Sequence, residues 1–141
     1  MLIAVSVNKP DLLAELSEMF GRSKYFVIHN STNNESEFLL NPYSTELGGA
    51  GIQSAQFLFE KNIEAVITTN VGIHPLSFFN SLNIKVYFCS NGSAKEALKL
   101  FKEKKLEEIE ANENELNKKR NRKRFGRNSS NAIIKKHHNK L

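Results

Sequence analysis

In this 141-residue chain, the residues best suited to chemistry sit on two glycine-bearing turns. The first reads Leu47-Gly48-Gly49-Ala50-Gly51 and runs into an amphipathic stretch. The second reads Asn70-Val71-Gly72-Ile73-His74-Pro75 and follows the apolar Ala65-Val66-Ile67. Each has the form of a loop that opens a helix, and α/β proteins use such turns to bring backbone N–H groups up to an anionic or electron-rich ligand. The same glycines are also explained by their steric freedom at a helix entrance, with no ligand at all. Their spacing fits neither the phosphate-cradling GxxxxGK(S/T) nor the dinucleotide-binding GxGxxG.

His74, in the second turn, is the best placed candidate for a metal or cofactor ligand, its alternative role being a helix cap or a surface imidazole. Cys89 is the single cysteine, which excludes an intramolecular disulfide and leaves no second thiolate to share a cluster, so it reads as a small apolar residue. His29 falls in an expected strand and reads as structural. His137 and His138 form an adjacent pair that could take up a metal weakly, without a scaffold to fix its geometry.

The elements that must position these residues follow from periodicity. A β-branched run over 2–7 predicts a strand buried on both faces. Asp11 predicts a capped helix with Leu12, Leu13, Leu16 and Met19 inward, stopped at Gly21. Strands over 25–29 and 37–40 flank the polar segment 30–35 and predict an antiparallel hairpin, closed off by Asn41-Pro42. A helix over 52–61 with Asn62 as a left-handed cap leads to a strand over 65–69. Pro75 suits the first turn of the next helix, with Leu76, Phe79 and Leu82 inward and Asn83 ending it before a strand over 84–88. Ser93 with Glu96 forms a capping box for a last helix whose buried stripe is Ala97, Leu98 and Phe101. Strands alternating with helices predict an α/β fold, a mixed sheet covered on both faces, with ligands at the carboxyl ends of its strands.

Charge divides the chain. Residues 1–110 carry ten Lys/Arg against thirteen Asp/Glu, while residues 111–141 carry ten against two. A domain over 1–110 followed by a basic low-complexity tail over 111–141 is the expected organisation, the tail disordered because it cannot bury enough surface to offset its ordering entropy. The run from Lys118 to Arg124 is dense enough to attract nucleic acid or an acidic protein face, the alternative being a solvated tail; Phe125 alone gives no basis for base stacking. Residues 65–84 are uncharged, but Asn70, Gly72, His74, Pro75, Asn80 and Asn83 exclude a membrane span. The apolar start lacks the basic region and length of a secretion signal, so a cytoplasmic location without membrane partners is expected.

Several pieces occur together and in order: Phe20-Gly21-Arg22 followed by Tyr25-Phe26, the Gly48-Gly49-Ala50-Gly51 loop, Val71-Gly72, the segment 83–87, and Ser93 to Leu106. Over residues 1–110 the chain resembles the dinitrogenase iron-molybdenum cofactor biosynthesis domain, the NifX/NafY type of nitrogenase accessory protein. The resemblance implies a three-layer fold with a five-stranded mixed sheet and a ribonuclease H-like motif. It also implies a protein without catalysis that binds an iron-sulfur or iron-molybdenum cofactor precursor and passes it between metal-cluster assembly proteins. By the same resemblance Phe20, Gly21 and Arg22 belong to a first binding loop, Gly48, Gly49 and Gly51 to a second, and Gly72 to a third. Cluster-binding members often carry a histidine directly before the Phe-Gly. Met19 stands there in this chain, a thioether in place of a nitrogen donor, with core filling on the preceding helix as its alternative. A ribonuclease H-like hydrolase is a third reading. It would need several carboxylates near strand ends, where Asn8, Asn70 and a single aspartate, Asp11, are found.

Overall fold

The computed structural model describes residues 1–111 of the chain; the basic run, His137, His138 and the expectation of a disordered tail lie outside them. Six strands form one sheet: β1 (Leu2–Val7), β2 (Tyr25–Asn30), β3 (Glu35–Leu40), β4 (Ala65–Thr68), β5 (Lys85–Phe88) and β6 (Glu107–Ile109), in the spatial order β3-β2-β1-β4-β5-β6. The hairpin β2-β3 lies on one side of β1, antiparallel to it through β2, while β4 and β5 continue in parallel on the other side. β1 therefore stands mid-sheet, and its uninterrupted apolar run is buried along almost its whole length.

Three helices cover the sheet: α1 (Ala50–Phe59), α2 (Ile73–Ser81) and α3 (Ala94–Lys102). On one face Ala4, Phe26, Val66 and Val86 pack against Ala55 and Leu58 of α1 and Leu76 and Phe79 of α2. On the other, Ile3, Val5, Val7 and Ile67 pack against Ala94 and Ala97 of α3 and against Leu16. Alternate residues of each strand thus feed separate cores, as the period of two requires.

Three expectations are corrected. No helix forms between Asp11 and Met19. Asp11 instead closes a tight turn, its Oδ1 accepting from Leu13 N at 2.9 Å, and the chain then makes single bridges from Leu16 to Val7 and from Glu15 to Ser93. A segment this short gains little from an isolated helix, and tertiary pairing prevails. The sheet has six strands rather than five, because Glu107–Ile109 pairs antiparallel with β5; three residues with one buried apolar side chain offer no alternation to read. The hairpin turn is tighter than expected, with β3 starting at Glu35 and Asn34 in the left-handed region at φ 61°. Element ends also shift. Pro75 lies in the first turn of an α2 that begins at Ile73, and Leu82, expected inward, is 38% exposed at its end. Asn62 and Asn83 take left-handed conformations at the helix ends, and the Ser93–Glu96 capping box is formed.

Candidate functional site

Strands β1, β3 and β4 run in the same direction, so the loops that leave their carboxyl ends gather at one rim of the sheet. After β1 the chain returns through a 3-10 turn, Phe20–Arg22; after β3 it reaches the glycine loop that opens α1; after β4 it reaches Gly72, which opens α2. These three segments enclose a cavity of about 460 Å³. Met19, Gly21 and Arg22 line it from the first segment, Gly48, Gly49 and Gly51 from the second, and Gly72 and His74 from the third.

Phe20 does not face this cavity. Its ring is fully buried between Phe26 and Phe79, with both centroids at 5.5 Å, and it anchors the turn to the core. Met19 is half-buried at the cavity margin rather than core filler on a helix, and its Sδ accepts a hydrogen bond from Asn70 Nδ2 at 3.3 Å. Phe20 N also donates to Asn70 O, at 2.8 Å, tying the first loop to the third. His74 is exposed at the second position of α2.

The glycines serve different ends. A Cβ on Gly21 would lie 2.7 Å from both Cα and N of Gly51, so this glycine lets the 3-10 turn touch the main chain of α1. A Cβ on Gly51 would reach Pro75 Cγ at 3.0 Å, so Gly51 sets the approach of α1 to α2. Gly49 caps α1 at φ 76°, a left-handed conformation that favours glycine. Gly48 has neither constraint: a Cβ there would meet nothing within 4 Å.

The electrostatics of the cavity follow from its helix starts. Gly49 and Gly72 are the N-cap residues of α1 and α2, and neither helix has a side-chain cap. The first N–H groups of a helix have no acceptor within it, and each start carries about half a positive charge. Among the described residues, no Asp or Glu lines the cavity. Arg22 lies at its edge, and its Nη1 donates to Ser44 O at 3.2 Å and to Glu46 O. The guanidinium therefore also fixes the lead-in to the glycine loop.

Beneath this lies a residue that sequence patterns gave no reason to select. Asn41, only 2% exposed, donates through Nδ2 to Ser23 O at 2.9 Å and to Ser54 Oγ at 3.0 Å, while its Oδ1 accepts from Tyr43 N at 3.0 Å. It joins the 3-10 turn, the loop after β3 and α1. Its place before Pro42 made it look like a strand terminator, and only the fold brings its partners together. Cys89 is buried and its Sγ donates to Asn91 O at 3.3 Å; burial pushes its thiol pKa up, an effect the Asn91 contact partly offsets. His29 Nδ1 lies 2.7 Å from Ser36 Oγ, away from the cavity. Among the described residues, no group of three or more His, Cys, Asp or Glu is placed to hold a metal ion.

Fold and rim together define a three-layer α/β domain with a glycine-lined cavity beside a mixed sheet, to which no carboxylate of the described residues contributes. The chain belongs to the family described as dinitrogenase iron-molybdenum cofactor, which matches over residues 1–104. It is 36% identical over 98 residues to an uncharacterized protein of Methanocaldococcus jannaschii, a match covering 67% of this chain and 83% of the relative. Among solved structures it is similar to the apo form of the orange protein from Desulfovibrio gigas, with 26% identity, TM-score 0.71, and coverage of 74% of this chain and 89% of that one. It is also similar to a Thermotoga protein described as a candidate NifB protein, with 28% identity, TM-score 0.66, and coverage of 76% and 91% respectively.

Proposed function

We propose that this protein is a non-enzymatic carrier whose cargo, an anionic iron-sulfur or iron-molybdenum cofactor precursor, sits in the three-loop cavity. The observation that carries this reading is the convergence of two glycine-headed helix starts, neither with a side-chain cap, on one space that no carboxylate of the described residues lines. Membership of the cofactor family supplies the class of cargo. Amide N–H groups of the glycine loop donate to bridging sulfides, Arg22 offers a balancing cation at the edge, and Gly48 leaves room for close approach to the backbone. Among the described residues, Met19 and His74 are the lining side chains able to coordinate a metal directly. A thioether is a soft but weak donor and an exposed imidazole is a single one, so the cargo is held chiefly by hydrogen bonds and charge.

Weak direct coordination suits an object that must be handed on, and the partners in this reading are the metal-cluster assembly proteins that deliver and receive it. We place the exchange in the cytoplasm; among the described residues no helix is long and apolar enough to cross a membrane. The hairpin-first, parallel-second strand order is read as a ribonuclease H-like motif used as a scaffold. The test is preparation without oxygen, with iron content and visible absorbance measured before and after a cluster donor is offered. Uptake that falls in Arg22→Ala and Gly48→Ala supports the reading. A colourless protein that ignores the donor refutes it.

A further inference from the structure

A second cavity, of about 500 Å³, lies on the other face of the sheet and toward its opposite end, between α3, the start of β1 and the hairpin turn. Its walls are largely apolar: Ile3 and Tyr87 from the sheet, Leu98 and Phe101 from α3, and Leu106 from the segment after it. The rings of Tyr87 and Phe101 meet edge to face, with centroids 5.1 Å apart, and make one wall rigid. On this face α3 covers the middle of the sheet but not the hairpin, where Phe38 and Leu40 are 36% and 63% exposed. The cavity marks the boundary of that cover.

Its polar rim is lopsided. Lys102 and Lys104 stand at and just after the end of α3 and contribute two cations, and among the described residues no Asp or Glu lines the cavity. The nearby Lys105 is paired with Glu103 at 3.2 Å, whereas among the described residues neither Lys102 nor Lys104 has an ion-pair partner. Lys104 holds its place through a left-handed backbone, φ 60°, closed by its N–H on Phe101 O at 3.0 Å. Across the cavity His29 is held by Ser36 Oγ at 2.7 Å, and burial favours its neutral form, so that wall adds polarity without a competing charge.

An apolar hollow of this size with cations on one side matches a small amphipathic anion, the apolar body inside and the head group outside. We infer that this cavity binds a free carboxylate with an apolar body, of medium acyl-chain size, with Lys102 and Lys104 receiving the carboxylate. The site is separate from the three-loop cavity and stands or falls independently of the cargo assigned to it.

The full chain, labelled with nitrogen-15, is titrated with decanoate and, separately, with decanol while amide shifts are followed. The expected result is saturable binding of decanoate with shifts centred on Leu98 to Leu106 and on Ser31 to Asn34. Decanol binds roughly tenfold more weakly, the contribution of two exposed charge contacts. The double variant Lys102→Gln/Lys104→Gln keeps its fold, as its spectrum will report, and loses that preference. Because the variant leaves the basic residues beyond 111 intact, an anion held only by them would bind it unchanged. That result, equal affinity for the alcohol, shifts confined to the glycine loop, or no saturable binding would each overturn the inference.

Discussion

Replacing Gly21 by alanine tests whether the rim of the sheet is built as described. The added Cβ would sit 2.7 Å from Cα and N of Gly51 and 3.1 Å from the carbonyl carbon of Ala50. Carbon atoms rest at about 3.5–4.0 Å, so the 3-10 turn and the start of α1 must part by nearly an ångström. Main chain lies on both sides of the contact and Asn41 ties the two segments together, so no flexible side chain can yield. Overpacking costs about 1–3 kcal/mol, here toward the upper end, and the stiffer unfolded chain returns about 0.4–1. The net loss is about 2 kcal/mol, a fall of roughly 8 °C in Tm for a domain of this size. Gly48→Ala is the matched control: its Cβ meets nothing within 4 Å, and stability should stay within about 0.5 kcal/mol. Thermal and urea unfolding followed by circular dichroism measure both. A Gly21→Ala protein that melts within about 2 °C of the parent, or a Gly48→Ala protein that falls as far as Gly21→Ala, would refute the assigned contacts.

Asn41→Ala removes the side-chain hydrogen bonds of a buried hub and leaves Ser23 O and Tyr43 N in need of partners; a loss of about 2–3 kcal/mol is expected in urea unfolding, with Ser54→Ala milder. His29 has a folded pKa below its ordinary 6.5, chiefly from burial, so the unfolded chain takes up its proton first. Stability from this group is complete above 6.5 and declines as pH falls through and below it, and His29→Gln should flatten that part of the profile measured by urea unfolding. Cys89, buried with its thiol pKa raised, should react slowly with a thiol reagent at pH 8 in the native protein and rapidly once denatured; equal rates would contradict its placement.

Much of the fold was legible because its elements obey their periods. The β-branched run of β1 and the Ser93–Glu96 box each state their own structure, and Asn62 ends its helix by a local preference. The region 11–19 misled because Leu12, Leu13, Leu16 and Met19 mimic helical spacing, while their fate is set by bridges to Val7 and Ser93 that no local pattern encodes. β6 was too short to read for a related reason: its pairing with β5 makes it a strand. Within the candidate site, the glycine loops were visible as types and spacings, but which glycine faces open space and which touches main chain depended on neighbours distant in sequence. The same holds for Asn41, whose polar side chain looked like punctuation and proves to be a buried joint.

The contacts of Gly21 on Gly51, and of Gly51 on Pro75, leave the mouth of the rim little give, since the first is main chain on main chain and the second sets a glycine against a rigid proline ring. Under the carrier role proposed above, a guest would meet a mould rather than a jaw. Size and charge would then discriminate at entry, and release would owe little to a hinge at these joints. Discharge would fall to a receiver that competes for the guest atom by atom, putting the direction of traffic in the affinity of that receiver.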